Sequence, residues 1–151
     1  MICALCDRVK LTQQNQYPYV IHEFKNSYLM LGEHQFYKGY FILVMKDHYR
    51  EMTDLPKSVA HELLDEILLT SSFIEKTFKP TKMNTCSLGN VVDHIHWHFF
   101  PRYKEDPDFK NPPWLQMAQF DSARLSPGEA EQIVKKMREE FKSFHSLSGI
   151  G

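Results

Sequence analysis

The stretch His94-Ile95-His96-Trp97-His98-Phe99-Phe100-Pro101-Arg102 decides how the rest of the chain is arranged. In an extended strand successive side chains point to opposite faces. His94, His96 and His98 therefore share one face, and Ile95, Trp97 and Phe99 share the other. The apolar face needs a covering element. The histidine face adds little packing, and each imidazole on it needs hydrogen-bond partners. Three readings follow from the residues themselves. The histidines are hydrated on a partly exposed strand, or they chelate an ion, as histidines at i and i+2 can, or one of them is a nucleophile. A neutral imidazole suits the last role, since its unperturbed pKa is about 6.5. If one ring nitrogen donates to a carbonyl, the other keeps a lone pair ready to attack.

Upstream, Lys82 to Leu88 reads as a strand, joined to the histidine strand by a turn at Gly89-Asn90. Before it, Leu55, Val59, Leu63, Ile67, Ile74 and Phe78 recur at helical spacing. Thr53 or Asp54 can cap this helix, Pro56 is acceptable in its first turn, and Pro80 stops it. Its apolar stripe is the expected cover for Ile95, Trp97 and Phe99. Gly39 precedes Tyr40-Phe41-Ile42-Leu43-Val44-Met45, a continuous apolar run that suits a strand buried on both faces. Tyr17 to Phe24 and Ser27 to Leu31 flank Lys25-Asn26 as a hairpin.

Downstream, Pro107, Pro112 and Pro113 mark residues 104–119 as a long loop. Ser126-Pro127-Gly128-Glu129 is a capping box that opens a last helix, with Ile133, Met137, Phe141 and Phe144 as its apolar stripe and fraying expected after Phe144. This order predicts an α+β fold: an antiparallel sheet of about five strands, a long helix packed on one face, and a C-terminal helix. The 151 residues suit one domain, with its core in 1–103 and a C-terminal extension, loop plus helix, in 104–151.

Lys and Arg total 18, Asp and Glu 19, for a net charge of −1. That balance argues against nucleic acid or a membrane surface as partner. No apolar run approaches the roughly 18–20 residues of a membrane span. The start of the chain has no basic segment leading into an apolar one. Three cysteines, Cys3, Cys6 and Cys86, do not make a disulfide framework, so a reducing, cytoplasmic setting is expected. Cys86 reads as a small core residue. Trp114, among prolines, reads either as a cover for a base or as a packing residue.

His-φ-His-φ-His-φ-φ followed by Pro101-Arg102, with the strands expected upstream, resembles the histidine-triad (HIT) superfamily. The run Asn84 to Tyr103, with Leu88-Gly89-Asn90-Val91-Val92 ahead of the triad, is similar to a bacterial branch related to the fragile-histidine-triad dinucleoside polyphosphate hydrolases. Lys46-x-His48 and Met52-Thr53-Asp54-Leu55 add to the likeness, which covers roughly Cys3 to Arg102. It implies that His96 attacks the α-phosphorus of a purine nucleotide. A nucleotidyl-histidine then forms, and water releases the monophosphate. His98 would donate to a phosphate oxygen or the leaving group, and the His94 carbonyl would hold the second nitrogen of the nucleophile. No catalytic cofactor is required.

Asn84 and Asn90 are candidate phosphate contacts, with turn chemistry as the plain alternative. Where many members carry a ribose-binding asparagine, this chain reads Leu31-Gly32-Glu33-His34, which makes Glu33 the candidate ribose contact. The resemblance also implies a structural zinc held by Cys3, Cys6, His48 and His94, and a homodimer. Alternatives are a Hint-type adenosine phosphoramidase, a non-catalytic nucleotide-binding protein, and a metalloprotein whose triad histidines all bind metal.

Overall fold

The structure is a computed structural model, and it describes residues 3–106 and 108–148. Its centre is a five-stranded antiparallel sheet in the order β1-β2-β3-β5-β4. The strands are β1 (Val20–Glu23), β2 (Ser27–Leu31), β3 (Phe41–Met45), β4 (Lys82–Cys86) and β5 (His96–Arg102). The helices are α1 (Ala4–Gln13), α2 (Lys57–Phe78) and α3 (Pro127–Ser148). The α+β architecture and the terminal helix match the expectation from sequence.

β2 and β3 are buried at every position, because each face of the sheet is covered. On one face Leu29, Leu31, Phe41, Leu43 and Phe99 pack with Leu63, Ile67, Phe73 and Ile74 of α2 and with Val134, Met137 and Phe141 of α3. Ile95 and Trp97 join this layer, so the apolar side of the histidine stretch does press on α2. Burying each large apolar side chain contributes about 1.5–3 kcal/mol. On the other face Tyr28, Met30, Tyr40, Ile42, Val44 and Phe100 pack with Leu5 and Val9 of α1 and with Phe120. Gly39 turns the chain into β3 at φ +85°, and a Cβ there would lie 2.9 Å from the Phe78 ring.

Several local expectations are corrected. β5 begins at His96, not His94, because residues 87–95 form a nine-residue connection in place of a tight turn at Gly89-Asn90. Ile95 N–H donates to the Tyr49 carbonyl and Met45 N–H to the Ile95 carbonyl, which holds His94-Ile95 beside β3 without continuing the β5 ladder. Neither Thr53 nor Asp54 caps α2. Both lie in a short 3-10 turn (Met52–Asp54), where Asp54 accepts from Glu51 N–H, and Pro56 stands at the helix N-cap. The capping box at Ser126 and Glu129 forms as read. α3 continues past Phe144 to Ser148. Pro107 and residues 149–151, on which the loop and fraying expectations partly rest, lie outside the described residues. The N-terminal helix α1 and a 3-10 stretch within the proline-rich segment (Pro113–Gln119) were not expected.

Candidate active site and metal cluster

β3 pairs with β5 so that Val44 lies opposite His96 and Ile42 opposite His98. His96 and His98 therefore emerge on the face that carries Tyr40, Ile42 and Val44. Their rings are 4.7 Å apart at 76°. His96 Nδ1 lies 2.6 Å from the His94 carbonyl oxygen and donates to it. That hydrogen bond fixes the tautomer with Nε2 unprotonated. Burial depresses the His96 pKa, the Arg8 guanidinium adds to the effect, and the His94 carbonyl partly opposes it. Burial and Arg8 thus favour the neutral ring, with Nε2 free of a proton.

His98 is buried further, and burial together with the His96 ring lowers its pKa to about 3. Its Nδ1 is 2.8 Å from the Tyr40 hydroxyl. A phenol is a stronger donor than an imidazole N–H, so Tyr40 donates and His98 presents Nε2–H. Tyr40 lies flat against Phe100, ring centroids 4.4 Å apart. It reaches that position over Gly32, where a Cβ would sit 2.0 Å from its ring.

His94 stands just before the strand and is almost fully buried. Its Nε2 donates to the Met45 carbonyl over 2.9 Å, which leaves Nδ1 as a lone pair. Nδ1 faces both Cys3 Sγ and Cys6 Sγ at 3.5 Å. Cys6 Sγ is 3.3 Å from His48 Nδ1. The four donor atoms of Cys3, Cys6, His48 and His94 lie within 4.8 Å of one another. Two thiols and two imidazoles are a set suited to tetrahedral zinc. The Met45 carbonyl behind His94 is the kind of outer partner that orients a metal-binding histidine. Cys3 is also the N-cap of α1 and accepts from Cys6 N–H. The cluster thereby joins α1 to the connection that carries His94.

The remaining sequence candidates are spread around this centre. Asn90 is exposed and lines a cavity of about 400 Å³ with His96, His98, Leu88, Val91, Val92, Trp114 and Met117. Asn84 is on β4 opposite Phe100, and its carbonyl oxygen accepts from Arg102 Nη1. Glu33 holds Arg8 at 2.7 Å, Arg124 at 2.6 Å and the Tyr17 hydroxyl at 2.9 Å. Trp114 stands at 85° to the His98 ring, 4.7 Å between centroids, and donates to Cys86 Sγ. A groove of about 780 Å³ between Tyr17, Tyr19 and α3 is larger but contains none of the triad.

Tyr40 and Arg8 escaped the sequence reading. Tyr40 sat inside an apolar run, and only the β3–β5 register reveals that it shares the histidine face. Arg8 belongs to a helix whose pattern gave no warning.

An open antiparallel sheet thus sets His96 and His98 side by side, with the His96 ring braced by the His94 carbonyl. The chain belongs to the HIT domain family, whose pattern its residues 13–105 match. It is similar to an uncharacterized HIT-like protein of Saccharolobus solfataricus, 21% identical over 112 residues, covering 71% of this chain and 78% of that protein. Among solved structures it resembles a histidine triad protein from Bradyrhizobium japonicum (TM-score 0.71, 22% identity, 86% of this chain and 95% of that one). It also resembles a zinc-bound histidine triad family protein from Mycobacterium smegmatis (TM-score 0.67, 20% identity, 96% of each chain).

Proposed function

We propose that this protein is a nucleotidyl hydrolase that cleaves at the α-phosphate of a purine nucleotide through a histidine-bound intermediate. One observation carries the reading: the 2.6 Å hydrogen bond from His96 Nδ1 to the His94 carbonyl, which turns the other nitrogen into a lone pair facing an open cavity. Nε2 forms a bond to phosphorus as the bond to the leaving group breaks. The ring, still protonated at Nδ1, becomes cationic, and the His94 carbonyl stabilises that charge. Water then attacks phosphorus, the P–N bond breaks, and the pair of electrons returns to Nε2. His98 Nε2–H donates to a non-bridging phosphate oxygen, where charge accumulates. Asn90 contributes a further amide to the phosphate. Asn84 supports the site from β4 and reaches the phosphate only if its amide nitrogen turns inward.

The nucleoside lies on the α1 side, where Glu33 takes the ribose hydroxyls in exchange for the exposed Arg124. Zinc, when bound by Cys3, Cys6, His48 and His94, supplies a structural cross-link and no reactive water. It holds His94 in place, and through the His94 carbonyl it holds the nucleophile. A reducing compartment, where these thiols stay free, and a twofold dimer complete the reading. Dinucleoside polyphosphates and adenosine phosphoramidates are both candidate substrates.

The test is turnover of diadenosine triphosphate and of adenosine 5′-phosphoramidate, with mass spectrometry on rapidly quenched protein. AMP release and an adenylated peptide containing His96, both abolished in His96→Ala, are expected. Cleavage that survives His96→Ala would refute the mechanism.

A further inference from the structure

Cys3 and Cys6 are nucleophiles that the hydrolytic chemistry leaves unused. They stand one turn apart at the start of α1, where Cys3 is the N-cap and its sulfur accepts from the Cys6 N–H. Their sulfurs lie within 4.8 Å of each other. A disulfide needs Cβ atoms about 3.5–4.5 Å apart, and residues three apart on a helix stand at about 5–6 Å. A small change in the first turn therefore closes the pair. The cluster is also open on one side, since His48 is exposed and Cys6 is partly so. A small oxidant can reach the Cys6 sulfur without unfolding anything.

The consequence follows from how α1 is held. The helix has 10 residues and buries only Leu5 and Val9, and a helix shorter than about 12–15 residues is marginal by itself in water. Its first turn is tied down where the sulfurs meet His94 at 3.5 Å and His48 at 3.3 Å. Two residues beyond Cys6, Arg8 holds Glu33 at 2.7 Å and lies 5.8 Å over the Tyr17 ring. One short helix thus carries both the sulfurs and a cation that sets Glu33. A disulfide has no anionic sulfur to share with a metal ion, so closing it removes two of the four donors. The tie between α1 and the two histidines is cut.

We propose that Cys3 and Cys6 form a hydroperoxide-sensitive dithiol whose closure to a disulfide frees α1, and Arg8 with it, from the sheet. The Cys6 sulfur attacks a peroxide oxygen and the O–O bond breaks. Cys6 becomes a sulfenic acid, and the other oxygen takes a proton and leaves as water or an alcohol. The Cys3 sulfur then attacks the Cys6 sulfur, the S–O bond breaks, and that oxygen leaves as water. The two sulfurs together lose two electrons and the peroxide gains them. The set releases its zinc, and a thiol reductant reverses the change. The effect on nucleotide binding rests on the hydrolase reading, which puts the nucleoside on the α1 side beside Glu33.

Zinc-loaded Cys86→Ser protein, in which Cys3 and Cys6 are the remaining thiols, tests this directly. It is treated with a small excess of hydrogen peroxide. Peptide mass identifies the disulfide, a chromogenic chelator measures released zinc, and hydrogen exchange of residues 4–13 reports the docking of α1. About one ion should leave per disulfide formed, and exchange across 4–13 should quicken about tenfold while β2 and β3 keep their protection. The Kd for AMP should rise about tenfold, as it should in Arg8→Ala. Dithiothreitol with added zinc should restore all three signals. Protein that takes up no zinc, oxidation that stops short of a Cys3–Cys6 disulfide, or a disulfide that leaves exchange across 4–13 unchanged overturns the proposal. If α1 is freed but AMP affinity does not move, the dithiol stands and the placement of the nucleoside fails. If α1 stays docked while Arg8→Ala weakens AMP binding, the reverse holds.

Discussion

Tyr40 shows how much one side chain can decide. Its hydroxyl holds His98 Nδ1, and its ring is sandwiched between Phe100 and His34. Tyr40→Phe removes the hydrogen bond and keeps the ring. Loss of one preorganised contact of this kind should lower kcat by roughly 10–100-fold, with KM for AMP-based substrates changed far less. An unchanged kcat would show that His98 keeps its tautomer unaided. Gly32→Ala should have a similar kinetic effect with added instability, because the new Cβ occupies the space of the Tyr40 ring. His96 and His98 were legible because alternation is enforced by strand geometry. Tyr40 was not, since a tyrosine in an apolar run looks like core until its neighbouring strand is known. The bonds of Glu33 to Arg8 and Arg124 were equally out of reach, because they join positions 25 and 91 residues apart.

Among the elements, α1 and the 87–95 connection are the parts that local sequence describes least. α1 buries only Leu5 and Val9, which makes a thin stripe, and a cysteine caps it where serine or aspartate is usual. The connection contains Val91-Val92, between the turn expected at Gly89-Asn90 and the histidines, and these residues form no strand. By contrast α2, α3 and the apolar β3 were plain because their patterns are long and their neighbours tolerate no other register. Buried Arg102, whose guanidinium donates to Asp106 and Asp108 of the proline-rich loop, gives the sharpest prediction at this scale. Arg102→Met leaves Asp106 and Asp108 without their cation, and breaking a buried pair from one side costs about 3–5 kcal/mol. The urea midpoint should fall accordingly. Intrinsic fluorescence should also report a more exposed Trp114 under native conditions, before global unfolding begins. Unaltered stability would mean that the loop is anchored without Arg102.

The whole molecule has a predictable response to acid. Burial holds His98 at about 3 and His34 at about 4, and His22 is shifted downward by the same cause. In the unfolded chain each returns to about 6.5. The unfolded state therefore binds more protons between about pH 4 and 6.5. Stability should be complete above pH 6.5 and decline steadily as pH falls toward 4. Urea midpoints at pH 7.5, 5.5 and 4.5 measure this, and a flat series would contradict the burial of these rings. The metal cluster adds a second whole-molecule test. Protein with zinc bound should carry about one ion per chain and lose it to a chelator with a lowered Tm, each kcal/mol costing about 2–4 °C at this size. Cys3→Ser together with Cys6→Ser should mimic the stripped protein.

The cluster also spans time. Cys3 must meet His94 from 91 positions away. At about 5–20 residues per second of synthesis, the two N-terminal thiols emerge many seconds before the histidine that completes their set. During that interval the first helix has no finished surface to dock on, because β5 has not yet been made. Helix α1 is thus among the last regions to settle, and the cysteines beside it are most vulnerable to oxidants while the ribosome is still working.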